Sequence, residues 1–151
     1  MPVLDTTLDI RSEEFKQNRD GMLKMLAALD ELHEEVAMGG GEEAMARLRS
    51  RDKMPIRERI AMVLDQDSPF LEISPLAAWR SNFNVGSGFV VGLGVIEGTE
   101  CLILGHDPSV RAGAFNQFNA KKLMRGLEIA RVNRLPYVQF EIGRASCRER
   151  V

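Results

Sequence analysis

Gly86, Gly88, Gly92, Gly94 and Gly98 punctuate a run, Val85–Leu104, that is otherwise mostly Val, Ile, Leu and Phe. In a helix each of these glycines would cost roughly 1 kcal/mol relative to alanine, so one buried helix is disfavoured. Phe89–Ile96 and Cys101–Leu104 are instead predicted strands, with Glu97-Gly98-Thr99 supplying the turn between them. Both runs are apolar at nearly every position, which predicts a hairpin covered on its two faces. A polar loop, His106-Asp107-Pro108-Ser109-Val110-Arg111-Ala112-Gly113, follows at the strand end. Sheet proteins commonly place their chemistry in such loops.

The hairpin needs layers, and the flanking sequence provides them. Ser12 can cap a helix whose first turn carries Glu13 and Glu14, charges that suit the positive end of the dipole. Phe15, Met22, Met25, Leu26, Leu29, Leu32 and Val36 recur at helical spacing over an acidic back of Asp30, Glu31, Glu34 and Glu35. Gly39-Gly40-Gly41 stops this helix and reads as a joint on which it can swing. A second helix is predicted from about Glu42 to Arg51, and a third begins at Pro55 with Ile56, Ile60, Val63 and Leu64 on one face. Phe70–Ile73 reads as a short strand. After the hairpin, Asn119 is expected to start a helix with Leu123, Met124, Leu127 and Ala130 facing inward, and Tyr137–Phe140 begins a strand. Strand, helix, strand in that order is a βαβ crossover.

At 151 residues the chain fits one ordinary domain or an incomplete piece of a larger one. A net charge of −2 argues against a general nucleic-acid binder. No apolar run approaches the roughly 20 residues of a membrane span, and the N-terminus lacks the basic-then-apolar order of a signal peptide. Cys101 and Cys147 form neither a disulfide framework nor a metal site, so a reducing cytoplasm is the expected location. The last stretch, 141–151, is Arg-rich and lacks an apolar period. It reads as a translated sequencing adapter joined to a truncated frame, a non-native tail to be left out of fold reasoning. Three segments are therefore expected: a helical extension over 1–41, a truncated domain over 42–140, and the tail.

Few side chains here announce chemistry. Gly92-x-Gly94 lies inside a strand and a second strand follows, so the dinucleotide fingerprint of strand, G-x-G-x-x-G and helix is not met. These glycines read as bulges or close backbone approaches. His106, Asp107 and Ser109 hold the ingredients of a catalytic triad, but neighbours in one short loop seldom face each other in those roles. A turn stabilised by Asp107 and Ser109 is the plainer reading. The basic residues suggest more. Arg47, Arg49, Arg51, Lys53, Arg57 and Arg59 precede the sheet, and Arg111, Lys121, Lys122 and Arg125 follow it. They read either as a solvated face balanced by Glu58 and its acidic neighbours, or as a phosphate site completed by amides at the helix start near Asn119.

Longer blocks carry a family resemblance. Arg51-Asp52-Lys53-Met54-Pro55-Ile56-Arg57-Glu58-Arg59-Ile60 resembles the Arg-Gly-Lys-Leu-x-x-Arg-Glu-Arg-Ile motif of biotin-dependent acyl-CoA carboxyltransferases. Ser68–Ala77 is similar to the next block of that family, and Asp107–Gly113 resembles Asp-x-Thr-Val-Lys-Gly-Gly. Lys121-Lys122, Arg125, Glu128-Ile129-Ala130 and Asn133-Arg134-Leu135-Pro136 are similar to the helix that follows. Asp52 stands where the family has Gly, Arg111 where it has Lys, and Ala112 where it has the first Gly of a pair.

The resemblance implies an α/β fold: an incomplete crotonase-like (ββα superhelix) N-terminal domain of a carboxyltransferase (beta-type) subunit, preceded by the amphipathic helix. It implies transfer of carboxylate from carboxybiotin, carried on a partner subunit or domain, to the carbon alpha or vinylogous gamma to an acyl-CoA thioester. Lys53, Ser109, Arg111, Ala112 and Gly113 are the acyl-CoA-binding residues it implies. No side chain here is expected to be catalytic and no metal is expected. The oxyanion donors belong to a Gly-Gly-Ala turn that would follow the strand beginning at Tyr137, so this chain by itself is expected to be inactive. Implied partners are a biotin carboxylase or biotin carrier subunit and, in the complete protein, further copies of itself. Two alternatives stand beside this reading: a non-catalytic module that binds a partner through its helix and sheet, and another acyl-CoA enzyme of the crotonase superfamily.

Overall fold

The computed structural model describes residues 6–141, so all but the first residue of the presumed tail lies outside the described residues. The chain divides into two compact units between Leu32 and His33, inside the first helix and upstream of the triple glycine.

In the first unit, helix α1 (Glu13–Ala37) begins where its sequence predicts. Ser12 Oγ accepts the Phe15 N–H at 3.1 Å, and Glu13 pairs with Lys16 at 2.6 Å. Met22, Leu23, Met25 and Leu26 on this helix are exposed.

The second unit contains the end of α1, helices α2 (Glu42–Arg49) and α3 (Ile56–Val63), strands β1 (Leu71–Glu72), β2 (Phe89–Ile96) and β3 (Thr99–His106), helix α4 (Gln117–Asn133) and strand β4 (Tyr137–Phe140). The strands form one sheet in the order β1-β2-β3-β4. β2 and β3 pair antiparallel without a break from Phe89↔His106 to Ile96↔Thr99. The turn is therefore two residues, and Thr99, expected in the turn, opens β3. Glu97 and Gly98 both have positive φ, 49° and 71°, the pairing that matches the twist of a two-residue hairpin. Asp65 pins this turn from outside: its carboxylate accepts the Glu97 N–H at 2.7 Å and the Gly98 N–H at 2.8 Å.

Both faces of the hairpin are covered. Ile56 and Ile60 of α3 pack with Val90, Cys101 and Ile103 on one face. Ala130 of α4 packs with Phe89, Val91, Leu102 and Leu104 on the other. The unbroken register leaves no bulge at Gly92 or Gly94, so their role is close approach. A Cβ on Gly92 would collide with the Phe70 ring, and one on Gly94 with Leu64.

β3, α4 and β4 make the expected crossover, with β4 parallel to β3 from Leu102↔Tyr137 to Gly105↔Phe140. Two details of α4 differ from expectation. The helix starts earlier: Asn116 is the N-cap, its side chain accepting from Phe118 and Asn119 N–H. Asn119 sits one turn inside, fully buried, and closes a capping box by accepting the Asn116 N–H at 2.8 Å. On the inward face Leu123, Leu127 and Ala130 pack against the sheet as expected, and one position departs. Met124 is 66% exposed, whereas Asn119, Lys122, Gly126 and Ala130, spaced three and four apart, are buried.

Candidate functional site

The loop after β3 is tied down before it does anything else. Asp107 is buried; its N–H donates to the Gly88 carbonyl at 3.0 Å, and its own carbonyl accepts the Val110 N–H at 3.2 Å. Its carboxylate accepts the Ser109 N–H at 2.8 Å and the Ser109 hydroxyl. Ser109 Oγ in turn accepts the Gly40 N–H at 3.0 Å. Beyond this anchor Arg111, Ala112 and Gly113 form one left-handed turn, with φ of 46°, 54° and 75°. Gly113 N–H donates to Val110 and Ala114 N–H to Arg111. The Arg111 guanidinium lies 4.7 Å from the Phe83 ring centroid and donates to the Asn82 carbonyl at 3.3 Å. Phe83 meets Phe118 edge-on at 5.5 Å, so arginine and aromatics join this turn to the start of α4.

Four of the five expected binding residues, Ser109, Arg111, Ala112 and Gly113, thus share one loop. Lys53 lies elsewhere, exposed in the link between α2 and α3, where its N–H donates to Leu48 at 3.2 Å. Among the described residues its side chain makes no ion pair. The larger basic set does not converge on one phosphate. Arg47 pairs with Glu43, Arg49 with Glu58, Arg57 with Glu72, and Arg125 with Glu128. The helix-start amides near Asn119 are taken up by Asn116. Half of the ten cations, counting Lys122 with Glu72, are thus paired with carboxylates, so the set does not act as one phosphate site.

The triad reading also closes. Asp107 and Ser109 bond to each other, while His106 ends β3 with its ring 4.6 Å from that of Phe89 and 6.1 Å from that of Phe115. Burial pushes the His106 imidazole below its usual pKa, so it stays neutral at pH 7. Its Nδ1 is buried with no partner among the described residues.

Sequence reasoning missed one polar cluster. Glu72 on β1 takes two hydrogen bonds from Arg57, at 2.7 and 3.1 Å, and its Oε1 also lies 3.5 Å from Lys122 Nζ. The Lys122 side chain is 1% exposed, and burial lowers its pKa to about 8, against the pull of Glu72. Arg57 and Glu72, with His33, Val36 and Pro75, line an open groove of about 330 Å³. The signal was the phase of α4, because position 122 falls on the face marked by Gly126 and Ala130. Among the described residues no group of three or more His, Cys, Asp or Glu side chains can hold a metal ion, and no helix is long and apolar enough to cross a membrane.

Known proteins share this architecture. The structure superposes on the geranyl-CoA carboxylase beta subunit of P. aeruginosa with a TM-score of 0.86 and 33% identity, over 94% of this chain and 27% of that one. A transcarboxylase 12S structure solved as a hexamer assembly, with methylmalonyl-coenzyme A bound, matches with a TM-score of 0.71 and 25% identity, over 82% of this chain and 25% of that one. These neighbours are carboxyltransferases of the crotonase-like fold. In sequence, the chain is 40% identical over 141 residues to a probable biotin-dependent acyl-coenzyme A carboxylase beta2 subunit of Mycobacterium tuberculosis, covering 91% of this chain and 26% of that protein. It is 39% identical over 139 residues to a probable methylcrotonoyl-CoA carboxylase beta chain of Drosophila melanogaster, covering 90% and 24%. The chain spans about a quarter of the length of these curated relatives. Residues 47–144 match the carboxyl transferase domain, and the chain belongs to that family.

Proposed function

We propose that this chain is the N-terminal part of a biotin-dependent acyl-CoA carboxylase carboxyltransferase subunit and that it forms the acyl-CoA side of the site. The observation that carries this reading is the anchored turn at Arg111–Gly113, inside a segment matched by the family from 47 to 144. A left-handed turn at a strand end offers backbone amides at close range, and Arg111 beside it offers a charge-assisted donor. Lys53 adds a second exposed cation. This donor set suits phosphate and thioester oxygens. The cations distinguish the two substrates, since CoA carries phosphates and the biotin ureido ring does not; we assign biotin to a partner.

Carboxybiotin, brought by a biotin carrier subunit, would supply the activated carboxylate. This chain's part is to bind and orient: Lys53 and Arg111 hold the anionic end of the CoA, and the turn fixes the acyl arm against the hairpin. Such fixation is where enzymes gain roughly 7–11 kcal/mol of barrier lowering in favourable cases. Turnover would further need the rest of the protein, further copies of the chain and the biotin-bearing partner. A free, buried Cys101 suits a reducing compartment such as the cytoplasm.

The test is titration of CoA, acetyl-CoA, propionyl-CoA and methylcrotonyl-CoA into the isotope-labelled 151-residue chain. Amide shifts at Ser109–Gly113 and Lys53 are expected with each. Shifts confined to other residues, or none at millimolar ligand, would overturn the reading for this chain.

A further inference from the structure

Gly39 and Gly40 touch the loop after β3 more closely than any side chain would allow. A Cβ on Gly39 would collide with the Asp107 carboxylate, and one on Gly40 with the Ser109 carbonyl. The triple glycine is therefore a docked corner, correcting the swinging joint expected from sequence. One hydroxyl closes the dock: Ser109 donates to Asp107 and accepts from Gly40. Asp107 is itself fixed to β2 through the Gly88 carbonyl.

We propose that this relay, from Gly40 N–H through the Ser109 hydroxyl to the Asp107 carboxylate, is the positioning device for the Arg111–Gly113 turn. Arg111 and Ala112 occupy a backbone region that costs non-glycine residues energy, and such strain persists only where surrounding structure over-determines it. Within the turn the Gly113 and Ala114 N–H groups bond back across it, and the Arg111 guanidinium reaches Asn82 and Phe83. Further constraint comes from its ends. After the turn, Asn116 Nδ2 donates to the Ser87 carbonyl and caps α4. Before it, Val110 is buried and packs where Gly88 has no Cβ, and the relay holds Ser109. Ser109 and Asp107 are thus positioning residues. The one proton of the Ser109 hydroxyl goes to Asp107 and one of its lone pairs takes the Gly40 N–H, so its part in the relay is to hold the turn rather than to donate to a ligand. The link to acyl-CoA rests on the function proposed above; the relay itself does not.

Three variants of the 151-residue chain test this: Ser109→Ala, Ser109→Thr and Gly40→Ala. Thr keeps the hydroxyl and is the residue in the resembling family motif, so it serves as the rescue. Ser109→Ala is expected to speed hydrogen exchange of the Gly40 amide at least tenfold, to shift the Arg111–Gly113 amides, and to weaken CoA binding several-fold. Ser109→Thr should restore all three. Should Ser109→Ala not fold, Gly40→Ala decides, because it drives the corner off the loop while leaving Ser109 in place. It should shift the same turn amides. Wild-type exchange at Gly40 and unshifted turn amides in the folded variants would overturn the relay. Altered amides with unchanged CoA affinity would overturn its role in binding. If the wild-type chain binds no CoA, the acyl-CoA reading fails for this chain, and exchange and shifts alone still decide the relay.

Discussion

Lys122 reaches Glu72 at 3.5 Å from a side chain that is almost wholly buried, although Glu72 already accepts two hydrogen bonds from Arg57. One carboxylate on the short strand β1 therefore ties α3 to α4, the helices that cover opposite faces of the hairpin. Burying a charge is costly unless it is paired, and breaking a buried pair from one side is worse than replacing it with apolar atoms.

That asymmetry predicts opposite outcomes for the two partners. Glu72→Gln leaves both Lys122 and Arg57 without their counter-charge and should destabilise the fold by about 3–5 kcal/mol. Lys122→Met leaves Glu72 satisfied by Arg57 and removes the buried ammonium, so stability should be unchanged or raised by roughly 1 kcal/mol. Chemical denaturation of the two variants beside wild type checks the order. Equal losses in both would mean the cluster is not arranged this way.

The same lysine should leave a mark in the pH dependence of stability. Its folded pKa, about 8, lies below the 10.5 of an ordinary lysine, so between these values the unfolded chain binds more protons than the folded one. Stability from this group therefore rises with pH from about 8 and levels off once the unfolded lysine has also lost its proton. The gain is at most roughly 3 kcal/mol over that window. Unfolding free energies at pH 7.5 and pH 10, taken as wild type minus Lys122→Met, should increase with pH. A flat difference would show that Lys122 keeps an ordinary pKa.

Much of this arrangement was legible in the sequence because it is local. Glycine spacing and apolar runs marked β2 and β3, Ser12 marked the start of α1, and the order of elements marked the crossover. What escaped was set by distant partners. Lys122 reads as a surface lysine until Glu72, fifty positions earlier, supplies the charge that lets it turn inward. Gly39 and Gly40 read as a hinge until Ser109 is seen against them, sixty-nine positions from Gly40. The ten basic residues left a solvated face and a phosphate site both open, because the acidic partners of Arg125, Arg47, Arg49 and Arg57 lie three, four, nine and fifteen positions away, a mixture that no single periodicity reveals.

Ala112 offers a test of backbone strain. With φ 54° and ψ 32° it holds a left-handed conformation that costs an L-residue about 1–2 kcal/mol. Ala112→Gly removes that cost but enlarges the freedom of the unfolded chain, which takes back roughly 0.4–1 kcal/mol. A net gain of about 0.5–1 kcal/mol is expected, read as a higher denaturant midpoint at unchanged slope. A lower midpoint would mean that the turn relaxes out of this region in solution.

Charge at the proposed binding loops should show in CoA affinity. Lys53 and Arg111 are exposed, so each phosphate contact is worth at most about 1 kcal/mol, and Lys53→Ala or Arg111→Ala should weaken CoA binding up to roughly fivefold. Both losses should shrink as salt is raised, since exposed charges are screened over about 10 Å at 0.1 M. Arg111→Lys separates charge from stacking: it keeps the cation but gives up the planar contact with Phe83 and the fork that reaches Asn82. If charge is what the ligand uses, Arg111→Lys binds CoA nearly as well as wild type while Arg111→Ala does not. If Arg111→Lys loses as much as Arg111→Ala, the guanidinium acts by holding Phe83 and the turn in place, and the phosphate contact lies elsewhere.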